Sequence, residues 1–257
     1  MVSQTELVAS AVYDGVAILT LQSPPVNALS AALRRQLAQH ITLADADPAV
    51  RAIVLIGAGR GFSGGADITE FAMPPEHPSL PDLLETIEDT SKPVIAALHG
   101  STLGGGLEMA LACHYRVAGR AAKLGLPEVK LGLLPGAGGT QRLPRLIGPN
   151  AALEMIAFGD PVGAQVAFDA GLIDAILDDD TMQAGAVAFA RRVLDQGMPQ
   201  RKVRGLNDKI AAARGHPEIF DDFRRANARR FRGFEAPNAC IEAVQGAVDL
   251  PLSLIHI

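Results

Sequence analysis

Two runs of apolar, β-branched residues, Val16–Leu21 and residues 51–56, are short, unbroken and closed by turn formers, Ser23-Pro24-Pro25 after the first and Gly57 after the second. Runs of this kind read as buried strands. What separates them decides the fold class. Ser30 can cap a helix in which Leu33, Leu37, Ile41 and Ala44 recur at helical spacing, and Asp45-Ala46-Asp47-Pro48 stops it. The unit is strand, helix, strand. It continues as a helix over 79–90, a strand over 93–98 and a helix that opens at Gly104, Gly105 and Gly106 and runs through Met109 and Leu111. This alternation predicts an α/β fold.

Beyond Gly148 the pattern turns mainly helical, with helices predicted over 151–158, 163–170, 181–196, 217–231 and 238–248 and one short strand over 173–177. The reading is a catalytic core over residues 1–180 and a C-terminal helical region over 181–257. The stretch 73–81, with prolines at 74, 75, 78 and 81, reads as a surface excursion near the site and not as a domain boundary.

A chain of 257 residues can bury a core without staples. Its net charge of −5 argues against nucleic acid as a partner, because phosphate-backbone binding is built on clustered positive charge. Cys113 and Cys240 lack metal-ligand spacing, so no metal site is expected and both read as reduced core thiols. The first ten residues lack the basic start and apolar run of a secretory signal, and no stretch has the length and apolarity of a membrane span. A cytoplasmic protein is the expectation. The chain closes on the apolar run 252–257 without a polar tail, which suggests a fragment of something longer.

Three glycine-rich segments carry the chemistry: Phe62-Ser63-Gly64-Gly65-Ala66-Asp67, Gly104-Gly105-Gly106-Leu107-Glu108, and Leu126-Pro127-Glu128 leading to Leu134-Pro135-Gly136-Ala137-Gly138-Gly139. Backbone without side chains lets a ligand approach main-chain N–H groups. If Gly104 to Gly106 open a helix, their N–H groups are unsatisfied donors at the positive end of its dipole, and Glu108 lies one turn on. The same glycines would also serve plain packing of helix against strand. Ala66, downstream of the second strand, offers another donor at the end where α/β folds place ligands. Two such donors make a hole for a developing oxyanion, and Glu108 and Glu128 can manage protons on either side of a ligand.

Other patterns carry less. Gly61-Phe62-Ser63-Gly64-Gly65 fits the G-x-S-x-G elbow of serine hydrolases, but Gly57 to Gly61 separate it from the strand and no acid and histidine complete a triad with Ser63. His99 and His114 stand alone at strand boundaries and read as core or supporting residues. Neither a dinucleotide fingerprint nor a P-loop occurs, so no nucleotide cofactor is implied. Arg224, Arg225, Arg229, Arg230 and Arg232 on one helical stretch read as a solvated or intersubunit face, with a phosphate site as the alternative.

Taken in order, Phe62 to Ile68, Leu103 to Ala110 and Leu126 to Thr140 strongly resemble the enoyl-CoA hydratase/isomerase, or crotonase, superfamily, and Pro24 to Leu29 fits its early loop. The resemblance implies a crotonase-like (ClpP/crotonase) superhelix of repeated β-β-α units with C-terminal helices, commonly assembled into trimers. It implies an acyl-CoA thioester substrate, with coenzyme A part of that substrate and no separate cofactor. The thioester oxygen would accept from the N–H groups of Ala66 and Gly105. Glu108 would help activate a water for attack at C3 of a 2-enoyl-CoA, Glu128 would supply the proton at C2, and the Gly136 N–H would help hold the water, with the resting protonation of the pair left open. Val26, Ala28, Gly64, Asp67 and Ile68 fall where relatives line the CoA and pantetheine path, whereas Thr69 stands where some hydratases carry a lysine. Later stretches, His216-Pro217-Glu218-Ile219-Phe220 and Ala236 to Val244, look like the hydratase half of multifunctional fatty-acid-oxidation enzymes, in which a 3-hydroxyacyl-CoA dehydrogenase follows. The expected activity is 2-enoyl-CoA hydration. A Δ3-Δ2 isomerase, a CoA-thioester hydrolase and an inactive crotonase-fold scaffold are the alternatives.

Overall fold

The computed structural model describes residues 5–250; the apolar run at 252–257 lies outside the described residues, as do residues 1–4. β1 (Val8–Tyr13) and β2 (Val16–Leu21) form an antiparallel hairpin with Val8 opposite Leu21. Its turn is Asp14-Gly15, at φ of 48° and 79°, a pairing whose backbone twist matches that of the strands. α1 (Ala31–Ala46) then carries the chain back, and β3 (Ala52–Gly57) runs parallel to β2, as a crossover helix requires. The Ser30 side chain accepts from Leu33 N at the start of α1, as its spacing predicts. α2 (Leu80–Glu88), capped by Ser79, leads to β4 (Val94–Leu98), again parallel.

From here the chain steps sideways. β5 (Ser101–Leu103) leaves the main sheet, α3 (Gly105–Ala112) returns the chain to β6 (Tyr115–Gly119), and β7 (Lys123–Gly125) repeats the step. After the 3-10 turn Pro127–Leu131 come α4 (Gly139–Ile147), α5 (Pro149–Phe158), β8 (Val162–Gly163), α6 (Ala164–Ala170) and β9 (Ala175–Leu177). α7 (Met182–Asp195), α8 (Asp208–Ala211), α9 (Glu218–Asn227) and α10 (Ala236–Asp249) complete the described chain. The main sheet has the order β1-β2-β3-β4-β6-β9, parallel after its first pair, and the small sheet has the order β5-β7-β8. Residues 61–66 after β3 make the same sidestep without a full strand, through the bridges Gly61↔Gly100 and Ser63↔Thr102. The stack of β-β-α turns is the crotonase-like superhelix expected from the sequence. Ala66, the start of α3 and Glu128 each follow the sidestep of successive turns, so the topology brings the three glycine-rich segments to one end of the molecule.

Leu33, Leu37 and Ile41 of α1 are fully buried with Leu19, Leu21, Ile53 and Leu55 on one side of the main sheet. On the other, Ala186, Phe189, Ala190 and Val193 of α7 pack with Ile18, Val54, Ile95 and Val117. Each fully buried leucine contributes about 1.5–3 kcal/mol, and Leu37→Ala would cost about 2–5 kcal/mol.

The sequence pattern predicts no element over 8–13, 115–119 or 139–147, and the structure gives the reason. β1 exposes most of its residues at the sheet edge. β6 and α4 bury Arg116, Gln141, Arg142 and Arg145, which break the apolar pattern. Two of them bond to partners that are remote in sequence: Arg116 donates to Leu172 O, and the Gln141 side chain donates to Ala243 O. The strand expected over 173–177 begins only at Ala175, because the N–H groups of Leu172 and Ile173 still turn back to Ala167 O of α6. Among the described residues no helix is long and apolar enough to cross a membrane.

Candidate active site

Ala66 is fixed from two sides. Leu29 N donates to Gly65 O, Gly64 N donates to Val26 O and Leu103 N donates to Ser63 O, so the 62–66 strip lies between the 24–29 loop and β5. Asn27 organises this junction. It is buried at φ 51°, its Oδ1 accepts from Ser23 N, and its Nδ2 donates to Ala58 O at 2.9 Å and Gly61 O at 3.0 Å. Ser63 is a buried post beneath the strip, its Oγ donating to Asn27 O at 2.7 Å and accepting from Gly65 N at 3.2 Å. Those bonds occupy the hydroxyl, and among the described residues no histidine pairs with it, so the elbow reading of Ser63 fails on geometry.

α3 opens at Gly104, whose φ of 53° and ψ of −130° lie where side-chain-bearing residues are strained. A Cβ on Gly65 would stand 3.2 Å from Gly105 N, and one on Gly105 would stand 3.1 Å from Ala66 N. The two predicted oxyanion donors are therefore neighbours. A Cβ on Gly104 would lie 3.2 Å from Glu128 Oε1, which puts that carboxyl beside the same helix start.

Glu108, on the first turn of α3, is 3% exposed, and its Oε1 accepts from both Ala137 N and Gly139 N at 2.8 Å. A Cβ on Gly139 would stand 3.0 Å from that oxygen. Burial raises the pKa of Glu108, against the pull of the Gly139 and Ala137 N–H groups and the Arg142 guanidinium. Glu128 has less help: its Oε2 is buried and has no hydrogen-bond partner among the described residues. Burial, with the neighbouring Glu108 charge adding to it, pushes Glu128 up to about 7. Burial raises both carboxylates, and what distinguishes them is hydrogen bonding: Glu108 Oε1 is held by two backbone donors, which Glu128 Oε2 lacks among the described residues. Gly136 is exposed on the 136–139 turn, whose donors to Glu108 are Ala137 and Gly139.

The CoA-path residues of the sequence reading gather on an exposed strip. Gly64 lies against Val26, Ala28 is half-buried, Ile68 is exposed, and Asp67 accepts from Thr69 N and Thr69 Oγ1. Beside Ala66 opens a cleft of about 590 Å³ lined by Phe71, Met73, Pro74, Pro75 and Leu80, so the proline-rich excursion does border the site. The arginine cluster is elsewhere. Arg224 pairs with Asp221, Arg225 with Asp222, and Arg230 pairs with Asp160 while stacking over Phe158. His114 is a core residue whose Nδ1 accepts from Val94 N, and burial takes its pKa down to about 4. Cys113 and Cys240 are free and buried.

Sequence reasoning passed over Asn27 and Ala137. The run Pro24-Pro25-Val26-Asn27 is turn chemistry that favours an Asn at positive φ, which is a readable signal. Nothing local marks the Ala137 N–H as a donor to Glu108.

Comparison with known proteins gives the family and the fold. The family model described as "Enoyl-CoA hydratase/isomerase" matches residues 11–224. A peroxisomal bifunctional enzyme of Danio rerio is 46% identical over 242 residues, covering 94% of this chain and 33% of its own length. The chain therefore spans about a third of the length of this and similar multifunctional relatives. A probable enoyl-CoA hydratase of Bacillus subtilis (strain 168) is 47% identical over 180 residues, 67% of this chain and 70% of that one. The crystal structure of an enoyl-CoA hydratase from Bacillus anthracis superposes with a TM-score of 0.69 at 30% identity, covering 98% of this chain and 92% of that chain. With the family model spanning most of its length and its fold that of solved hydratases, the chain belongs to the enoyl-CoA hydratase/isomerase family.

Proposed function

We propose that this chain is a 2-enoyl-CoA hydratase of fatty-acid β-oxidation, a hydro-lyase that adds water across the 2,3 double bond. The observation that carries the reading is the contrast between Glu108, held by two backbone donors, and Glu128, with a bare buried oxygen, both at the start of α3 beside the Ala66 and Gly105 nitrogens. Burial raises both groups, the two donors work against it at Glu108, and at Glu128 it holds the proton up to about pH 7, so Glu108 is better assigned as the base and Glu128 as the acid.

The thioester oxygen accepts from Ala66 and Gly105 N–H, which stabilises the charge that develops there as C3 is attacked. Glu108 takes a proton from water as its oxygen bonds to C3, and the electron pair of the double bond moves toward C2 and the thioester oxygen. Glu128 delivers its proton to C2. Transfer of a proton from Glu108 to Glu128, directly or through solvent, resets the site. The Gly136 N–H helps hold the water, and Val26, Ala28, Gly64, Asp67 and Ile68 carry the CoA arm. Written this way, the addition uses no metal and no cofactor beyond the coenzyme A of the substrate.

A second reading is favoured by one feature. A carboxyl with a pKa near 7 can both take and give a proton, so Glu128 alone could move one between C4 and C2 and isomerise a 3-enoyl-CoA. Incubation with 2-enoyl-CoA in deuterium oxide tests the leading reading: one deuterium at C2 with a hydroxyl at C3 supports hydration, and unchanged substrate contradicts it.

The relatives' names and lengths support a place as the hydratase part of a multifunctional enzyme; the division into a core to residue 180 and a helical region after it is part of the same proposal. A trimer is the alternative assembly. A cytoplasmic location is part of the same proposal, although several relatives bear peroxisomal or glyoxysomal names.

A further inference from the structure

Behind the 136–139 turn lies a buried ion pair that the hydration scheme does not use directly. Arg142 of α4 and Glu88 of α2 are 4% and 0% exposed. Glu88 Oε2 accepts from Arg142 Nη2 at 2.7 Å and Nε at 3.2 Å, while Glu88 Oε1 accepts from Arg204 N at 2.8 Å. The remaining Arg142 nitrogen, Nη1, donates to Ala137 O at 3.3 Å. Ala137 N in turn donates to Glu108 Oε1. A Cβ on Gly138 would stand 2.4 Å from Arg142 Nη1, so the turn rests directly on the guanidinium.

We propose that Arg142, oriented by Glu88, is a positioning residue for Glu108: it fixes the turn whose N–H groups hold Glu108 Oε1 and brings a positive charge to the side of that carboxyl. This inference rests on the hydratase reading, in which Glu108 is the base. A buried ion pair adds little net stability over apolar side chains of equal volume, so its effect here is geometric and electrostatic. The charged groups around Glu108 are Arg142 from α4 and Glu128 from the Pro127–Leu131 turn. Behind Arg142 stand Glu88, the Arg204 guanidinium 4.0 Å from Glu88 Oε2, and Arg145 on the same helix. The Cys240 thiol of α10 lies toward Glu128. Removing the Glu88 charge would leave Arg142 less neutralised and lower the Glu108 pKa, whereas removing Arg142 would raise it.

The test follows the Glu108 carboxyl by NMR in the full chain labelled with carboxyl-13C glutamate, assigned by its loss in Glu108→Gln, alongside kcat and KM for crotonyl-CoA across pH. Glu88→Gln is expected to lower the Glu108 pKa and Arg142→Met to raise it, each by about one unit, with the acid limb of kcat moving the same way and KM changing by less than about threefold. Arg142→Lys is expected to restore the limb but leave kcat about tenfold low, because one ammonium cannot bridge Glu88 and Ala137 O at once. Wild-type titration of Glu108 in folded Glu88→Gln and Arg142→Met would overturn the proposal. If Arg142→Met does not fold, the isosteric Glu88→Gln decides alone. Shifted titration in a chain that leaves crotonyl-CoA unchanged would sink the hydratase reading and leave the positioning role standing.

Discussion

Gly105 faces the Ala66 nitrogen with no room for a side chain between them: a Cβ on Gly105 would stand 3.1 Å from Ala66 N and 2.8 Å from Leu80 Cδ2. The leucine tip can swing aside, but the backbone nitrogen cannot. Gly105→Ala is therefore expected to fold, since its φ is not in the left-handed region, and to lose about a hundred- to a thousand-fold in kcat through the displaced oxyanion donor. Steady-state kinetics with a circular-dichroism control checks this, and a kcat within a few-fold of wild type would remove Ala66 and Gly105 from the proposed hole.

The two carboxylates predict the pH dependence of turnover. Glu128 must carry a proton and is pushed up to about 7, so kcat/KM should fall as pH rises through that value. Glu108 must be ionised, so the rate should also fall as pH drops through its raised pKa. A kcat/KM profile flat from pH 6 to about 9 would exclude Glu128 as the proton donor.

Glu128 also predicts a stability trend with a definite sign. Its carboxyl rises from 4.5 to about 7 on folding, so the folded state binds the proton more tightly than the unfolded state. That contribution is complete below pH 4.5 and is lost as pH rises through about 7. The loss amounts to about 3 kcal/mol, before allowance for the partial exposure of the group. Burial of Glu108 acts in the same direction. Relative to wild type, Glu128→Gln should become more stable by up to about 3 kcal/mol between pH 5 and 8, read by urea unfolding at each pH. A constant difference between the two proteins would contradict the buried, partnerless oxygen.

Ser63 tests the serine-hydrolase elbow reading. Its hydroxyl bonds Asn27 O and Gly65 N, so Ser63→Ala should cost about 1–2 kcal/mol of stability and leave hydration within about tenfold of wild type. Complete loss of activity in a folded Ser63→Ala would return the serine to candidacy as a nucleophile.

Much of this architecture was legible in the sequence because local and global signals agree. Ser30 and Ser79 cap the helices that their positions announce, and Val16–Leu21 is a strand that reads as one. The Asp14-Gly15 pair is a strong hairpin signal, and β1 passes unread because its exposed residues lack an apolar run. α4 hides for the opposite reason, since its buried arginines look like a surface until Glu88 and the Ala137 carbonyl are brought to them. The glutamates and glycines of the site stand out by residue type. Their difference in environment does not, because the donors to Glu108 come from residues 137 and 139 and the bare oxygen of Glu128 is a matter of packing alone.

The central claim, that Glu108 and Glu128 together hydrate a 2-enoyl-CoA, is tested most directly by following the conjugated-thioester absorbance of crotonyl-CoA with wild type, Glu108→Gln and Glu128→Gln. Rapid loss with wild type, slowed by about a hundred- to ten-thousand-fold in either variant while both stay folded, is the predicted result. Unchanged absorbance with folded wild type that binds the CoA ester, or full activity in either variant, would contradict it.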